Sequence, residues 1–211
     1  MNRLFIAVIG QICCGKGTFT NEVVEFVRKN SSTLSVGVFS TSDLLKSILV
    51  EKLNIKSPRR KDFQALFLGL EEKFPDCVVN SVHHDIEQTH AHEIVIIDSI
   101  RTIAQYAKWR KYFPDLRVIY IHADEELRYA WNNERLGIEN PGERERQEWI
   151  DAHASPTEEE ITDLQKVASI VIENDGDLEQ YKLKSALRAH CLIREAGMAS
   201  ALDKILEPTP L

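Results

Sequence analysis

Cysteine is scarce in this chain, four in 211 residues, and the four are badly placed for joint chemistry. Cys13, Cys14, Cys77 and Cys191 make neither a metal-ligand spacing nor the ladder of pairs that staples small secreted folds. Free thiols in a reducing, cytoplasmic compartment are therefore the expectation. Long apolar runs are missing as well: no stretch reaches the roughly 18 residues that a membrane-spanning helix needs. The N-terminus runs directly into an apolar, strand-like segment without a leader-type cleavage pattern. Basic residues are outnumbered, 26 Lys and Arg against 33 Asp and Glu, for a net charge of −7. That balance argues against a polymeric nucleic acid or an anionic membrane as partner. It leaves room for a small anionic ligand, which responds to a local cleft. Repeats and low-complexity tracts are absent. With 43% hydrophobic and 28% charged residues, 211 positions suit one α/β domain with a sizeable core and at most a small mobile insertion.

Glycine is also sparse, nine in all, yet Gly10, Gly15 and Gly17 fall within eight residues. They belong to Gly10-Gln11-Ile12-Cys13-Cys14-Gly15-Lys16-Gly17-Thr18, which follows the apolar run Leu4 to Ile9 and precedes a helical pattern from Phe19 to Lys29. Strand, glycine loop, helix is the setting that a phosphate-binding G-x-x-x-x-G-K loop requires. Gly10 and Gly15 let the backbone turn and bring N–H groups of the loop, Cys13 and Cys14 included, against phosphate oxygens. The helix N-terminus adds its positive end. Lys16 brings a point charge for the β and γ phosphates. A hydroxyl at position 17 normally faces Mg2+; Gly17 has none, so Thr18 or a metal-bound water takes that part. The position of Cys13 and Cys14 before a helix start predicts thiols of lowered pKa, open to modification.

Further β-type runs are predicted at residues 34–40, 93–98, 116–121 and 167–173, with 3–9 as the first strand. Ile94-Val95-Ile96-Ile97 reads as a buried parallel strand. It ends in Asp98, at the strand end where a carboxylate beside a phosphate loop orients metal-bound water. Thr41-Ser42-Asp43 can cap a helix over 44–53. Arg59, Arg60 and Lys61 form a basic cluster that either reaches an acceptor phosphate or stands solvated. His83, His84, His90 and His92 lack a carboxylate or cysteine to complete a familiar metal set, so a polar connecting loop is the simpler account. Residues 136–156 are irregular and highly charged, with Gly137, Pro141 and Gly142 marking flexibility. A helix is predicted from Thr157, and a last one after Asn174-Asp175-Gly176.

The form G-K-G-T at 15–18 resembles the adenylate kinase and nucleoside-monophosphate kinase family, with Cys13-Cys14 standing where that family often has Pro-Gly. Phe39-Ser40-Thr41-Ser42-Asp43-Leu44-Leu45-Lys46 is similar to its I-S-T-G-D-h-h-R segment, h being apolar. That resemblance assigns Thr41 and Lys46 to the acceptor monophosphate. Asp98-Ser99-Ile100-Arg101-Thr102-Ile103-Ala104-Gln105 resembles the family's D-G-F-P-R-T-x-x-Q, one residue shorter. It implies Arg101 at the acceptor phosphate and Gln105 at the acceptor base. This short form is also similar to that of adenylate-kinase-related proteins and animal-type phosphomevalonate kinases. Arg128 and Arg135 are the nearest matches to the family's lid arginines, with Arg144 and Arg146 further along the charged segment. The turn at Asn174 and Gly176 corresponds to the border of the donor adenine.

The resemblance implies a three-layer P-loop NTPase fold with a five-stranded parallel sheet in the order 2-3-1-4-5 and a short lid. The expected divisions are a kinase domain at 1–198, an acceptor-binding helical region at 41–92, a lid-like segment at 135–157, and a tail or linker at 199–211. The implied activity is ATP-dependent phosphoryl transfer to a small phosphorylated acceptor, a nucleoside or deoxynucleoside monophosphate first. ATP and Mg2+ are the implied cofactors, Mg2+ held near Thr18 and Asp98. Lys16, Arg101 and a lid arginine, Arg135 or Arg144, neutralise the migrating charge. Phosphomevalonate or dephospho-coenzyme A as acceptor, and a non-catalytic nucleotide-binding domain, stand as alternatives.

Overall fold

The computed structural model describes residues 3–89, 91–98, 100–154 and 156–202. Five parallel strands form one sheet among these residues: β1 (Leu4–Ile9), β2 (Val36–Ser40), β3 (Ile94–Asp98), β4 (Arg117–His122) and β5 (Ile170–Glu173), in the order β2-β3-β1-β4-β5. The strands are apolar nearly throughout because helices cover both faces. Side chains alternate between faces, so the inner strands β1, β3 and β4 feed two cores. Leu4, Ile6 and Val8 of β1, with Ile94, Ile96, Ile119 and Ile121, pack under α1 (Lys16–Asn30) and α9 (Leu178–Glu195). Ala7 and Ile9, with Val95, Ile97, Val118 and Tyr120, face the opposite way. They meet α4 (Cys77–Gln88), α5 (Ile103–Tyr112) and α8 (Pro156–Leu164) through Val82, Trp109 and Ile161. The result is three layers with β1 in the middle, paired on one side with β3 and on the other with β4. The loop leaving β1 therefore emerges between the carboxyl ends of its two neighbours, where open α/β sheets bind ligands.

Beyond β2 the chain forms α2 (Thr41–Ser47), a wider π-type turn (Ile48–Lys52) and α3 (Arg60–Lys73). The helix starts three residues before the expected Leu44, and the stretch expected to cap it, Thr41-Ser42-Asp43, is its first turn. Ser40, not Thr41, is the N-cap, its hydroxyl accepting from the amides of Ser42 and Asp43 at 3.1 and 3.3 Å. Such a cap is worth about 1 kcal/mol. Thr41 is thereby the first helical residue and is buried. Leu45 of α2, Phe67 of α3 and Val78 of α4 make a small separate core under this helical arm. His83 stacks on Tyr112, ring centroids 3.8 Å apart, and His92 lies edge-on to Phe39. His90 lies outside the described residues.

The segment read as irregular is largely helical: α6 (Glu125–Leu136) ends at Gly137 and α7 spans Glu143–His153. Its stabilisation is polar, which hides it from a hydrophobic-period reading. Glu145 accepts from the Gly142 amide at 2.9 Å, and Arg144 donates to Glu148 at 3.1 Å one turn on. A single apolar anchor, buried Trp149, packs edge-on against Tyr129 of α6. Trp149 also donates its indole N–H to Glu125 at 3.1 Å. The helix that follows begins at Pro156 rather than Thr157, in keeping with the fixed φ of proline in a first turn.

The C-terminal end of α7 is tied down by His153. Its Nε2 lies 2.8 Å from Nη1 of buried Arg128, and its Nδ1 lies 2.9 Å from the Trp149 carbonyl. Because a guanidinium only donates, Nε2 must accept and Nδ1–H must donate, which is the neutral tautomer. Burial first, then the charges of Arg128 and Arg60, hold the imidazole below its ordinary pKa, against the Trp149 carbonyl and Glu158. An unfolded chain thus takes up the proton before the folded one. The stabilising contribution is complete above about pH 6.5 and is lost as pH falls from there toward the folded-state value. Thermal unfolding followed from pH 7.5 to 5.5 should show a steeper loss of Tm in the native protein than in His153→Gln. Parallel curves would remove His153 as the titrating group.

Candidate functional site

The loop between β1 and α1 is shaped by backbone conformations that few residues adopt. Gly10 has φ 152° and Gly15 φ 102°, and Cys13 is left-handed at φ 58°. A Cβ at Gly10 would stand 2.5 Å from the Ile121 carbonyl oxygen, and one at Gly15 would stand 2.6 Å from Asn174 Nδ2. Both glycines are therefore required by conformation and by space. The loop is also fastened from outside. Asn174 Nδ2, at the end of β5, donates to the Cys14 carbonyl at 3.0 Å. The Tyr181 hydroxyl on α9 donates to the Gly15 carbonyl at 3.0 Å. Arg128 donates to the Ala123 carbonyl at 3.0 Å and to the Ile12 carbonyl at 3.4 Å. Arg128 is thus buried as a brace of the loop, and is not a lid arginine facing a ligand.

Lys16, the first residue of α1, folds back so that Nζ donates to the carbonyls of Gly10 at 2.8 Å and Gln11 at 2.9 Å. The loop from Ile12 to Thr18 lines a cavity of about 690 Å3 together with Asp98, Arg101, Arg135, Asn174 and Gly176. Thr18 and Asp98 thus share one cavity, and the space around the missing side chain at Gly17 is open. An oxygen donor set of hydroxyl and carboxylate beside a lysine-bearing anion cradle fits a hard divalent cation carrying phosphate. Thr18 and Asp98 are the residues that would hold it.

The thiols behave differently from expectation. Cys14 is buried in the core, its Sγ 3.8 Å from Lys16 Nζ. Burial is the largest influence on Cys13 and pushes its pKa up, outweighing the nearby charges of Arg135, Lys16 and Arg60. Position before a helix start favours the thiolate, and at Cys13 desolvation outweighs it.

A second cavity of about 280 Å3 opens beside the first, lined by Thr41, Ser42, Leu45, Arg60, Phe63, Gln64, Phe67 and Arg101. Ser42, Arg60 and Arg101 line both cavities and so form the wall they share. Arg60 and Arg101 converge on one carboxylate oxygen, Oε1 of Glu158, which is 1% exposed; Arg101 Nη1 donates to it at 3.2 Å and Arg60 Nη2 donates more closely. Burial works against the charge of Arg60 and lowers its pKa, Glu158 supports it, and Arg101 opposes it in turn.

Several expected residues lie elsewhere. Lys46 is exposed on α2 and lines neither of the two cavities; Arg60, the first residue of α3, stands at the wall the two cavities share. Gln105 is buried and lines neither cavity. Its Oε1 accepts from the Arg101 amide at 2.9 Å, so it shapes the turn that presents Arg101. Arg144 is 79% exposed and paired within its own helix to Glu148, while Arg135 reaches the larger cavity from the last turn of α6. Ser99, within the Asp98–Arg101 motif, lies outside the described residues. Glu158 and the bracing role of Arg128 carried no local signal: their partners lie 57 and 116 residues away in sequence. Only the basic cluster at 59–61 pointed toward Arg60.

The sequence matches no protein-family model and no curated protein. Solved structures do match by shape. A Thermus thermophilus protein superposes with a TM-score of 0.58 at 19% identity, covering 90% of this chain and 96% of that one. A gluconokinase from Sinorhizobium meliloti gives 0.51 at 16% identity, with 92% and 94% covered. A shikimate kinase from Bacteroides thetaiotaomicron gives 0.51 at 12% identity, with 90% and 98% covered. With the strand order β2-β3-β1-β4-β5 and the glycine loop after the central strand, the chain has the P-loop kinase fold.

Proposed function

We propose that the protein transfers a phosphoryl group from ATP to a small anionic acceptor, a nucleoside or deoxynucleoside monophosphate first. The observation that carries this reading is the shared wall: Arg60 and Arg101 border both the loop cavity and the aromatic-walled cavity beside it. In this reading the larger cavity receives the donor nucleotide and the smaller one the acceptor. The loop amides and Lys16, released from its own carbonyls, hold the donor phosphates. Phe63, Phe67 and Leu45 offer apolar and aromatic wall to the acceptor's body, and Thr41, Ser42 and Gln64 offer hydrogen bonds. Arg60 and Arg101 hold the acceptor's anionic group at the boundary that the phosphoryl group must cross. Mg2+, when bound, supplies charge neutralisation on the donor phosphates, with Thr18 and Asp98 as its protein partners. Arg135 adds charge from the donor side. Segment 135–157 serves as the lid, and Asn174 and Gly176 border the donor base. An acceptor phosphate is already ionised, so its oxygen can attack without a protein base. What remains for the protein is placement and electrostatic stabilisation.

Gluconokinase and shikimate kinase, by their names, phosphorylate small molecules, which supports a small acceptor here. A panel of monophosphates, with gluconate, shikimate, phosphomevalonate and dephospho-coenzyme A, in a coupled ADP-release assay tests the reading. ADP release that depends on one acceptor supports it. Nucleotide binding with no acceptor-dependent turnover would point instead to a regulatory nucleotide-binding domain.

Two substitutions separate the donor and acceptor sides. Lys16→Ala should lose at least about 2 kcal/mol of transition-state stabilisation, roughly thirtyfold in kcat/KM, with the fold retained by circular dichroism. Near-normal turnover in the folded variant would sink the loop assignment. Arg101→Lys and Arg60→Lys keep the charge but lose the planar fork. Each should raise the acceptor KM by about tenfold, the scale of 1.4 kcal/mol, and change ATP affinity far less. Titrating the two substrates separately decides this. A collapse of ATP affinity with acceptor affinity intact would move both arginines to the donor site.

A further inference from the structure

Glu158 is a fully buried carboxylate with no place in the mechanism above, yet it touches two of its principal residues. It lies on α8, and that helix contacts the site at three successive points. Glu158 accepts from Arg60 and Arg101. Glu160 accepts from the Ile103 amide at the start of α5, at 3.1 Å. Thr162 accepts from Gln11 of the glycine loop at 3.4 Å. Glu158 itself lines neither the 280 Å3 nor the 690 Å3 cavity, so it stands behind the arginines and does not face a ligand.

The two guanidinium groups come from distant parts of the chain and carry like charge. Their side chains are only 28% and 23% exposed, so water relieves their mutual repulsion incompletely. One carboxylate oxygen shared between them offsets that repulsion and fixes both orientations. It leaves other N–H groups uncommitted: Arg60 Nε is buried with no hydrogen-bond partner among the described residues. Arg60 and Arg101 both border the two cavities, where guanidinium N–H groups not spent on Glu158 can meet an incoming anion. Preorganisation of this kind matters because a flexible arginine must lose rotamer freedom on binding, whereas one already held does not.

We propose that Glu158 is a positioning residue that assembles Arg60 and Arg101 into one preformed seat for the acceptor's anionic group. This rests on the reading of the smaller cavity as the acceptor site. The charge of Glu158 also sets the cluster at one net positive charge, enough to attract an anion without leaving two cations unbalanced between visits. Substituting glutamine keeps the shape and removes that balance. Substituting aspartate keeps the charge and draws it back by one methylene.

Inorganic phosphate tests the seat without any acceptor being known. Phenylglyoxal modifies accessible guanidinium groups, and peptide mass spectrometry reads Arg60 and Arg101 separately. In the native protein, phosphate should slow labelling of both, and its half-protecting concentration measures the seat. Glu158→Gln should raise that concentration at least tenfold and Glu158→Asp by a smaller factor, with thermal unfolding recorded for each. If Glu158→Gln fails to fold, Glu158→Asp carries the test alone. A drop in Tm with an unchanged half-protecting concentration would make Glu158 merely structural and overturn the proposal. A lower concentration would overturn it too, since Glu158 would then compete with the anion, and so would a native protein that phosphate does not protect. Because no nucleotide or turnover enters the measurement, a shifted concentration in a protein that phosphorylates no acceptor supports the seat while rejecting the proposed function. Turnover with no shift does the reverse.

Discussion

The backbone at Gly15 is left-handed, and its missing side chain is where the Asn174 amide lies. That one close approach links four elements. Asn174 follows β5, the carbonyl it holds belongs to Cys14 after β1, Tyr181 of α9 grips the next carbonyl, and α1 starts at Lys16. The glycine loop is therefore a fixed cradle whose outer carbonyls are spent on the scaffold. The loop from Ile12 to Thr18 and the start of α1 line the larger cavity. A substituent at position 15 would strain the backbone and push away the amide that secures the loop, so shape and support fail together.

Electrostatics gives the neighbouring site its character. The molecule is acidic overall, yet the wall shared by the loop cavity and its neighbour carries two arginines, with a lysine-bearing loop beside it. A net charge of −7 does not keep an anionic ligand from such a cleft, because exposed charges beyond about 10 Å are largely screened while partly buried ones are screened much less. The same low polarity that strengthens the arginines makes them costly to leave unpaired. Glu158 answers that cost from one side, and a bound anion would answer it from the other. The helix α8, which carries Glu158, also touches the loop and the start of α5, so the three parts of the site share one support.

Much of this was readable in the sequence because it depends on neighbours in the chain. Parallel strands covered on both faces must be apolar throughout, and Ile94-Val95-Ile96-Ile97 announces that plainly. A loop that needs left-handed backbone must place glycine there, so Gly10 and Gly15 mark it. Asp98 at a strand end and Arg101 three residues on were legible for the same local reason. Helix α7 was not. Its order comes from one ion pair within the helix, Arg146 pairing across to α6, and a single tryptophan, a pattern that also describes a solvated loop.

What the sequence could not decide is which cations face the site and what holds them there. Motif alignment assigned the acceptor phosphate to Lys46, five residues into the run after Thr41. The turn of α2 exposes that side chain, while α3, entering from the far end of the helical arm, delivers Arg60 to the wall. Gln105 matched a base-reading position and instead holds the Arg101 amide, because its side chain points into the core. Arg128 matched a lid arginine and Glu158 belonged to no motif, and both are buried beside partners far along the chain. Sequence thus determined the strand order's raw material and the phosphate loop, features set by local conformation and by burial on two faces. The tertiary structure alone decided the charge constellation, because an ion pair between residues 57 or 98 positions apart exists only once the sheet and its helices have brought them together.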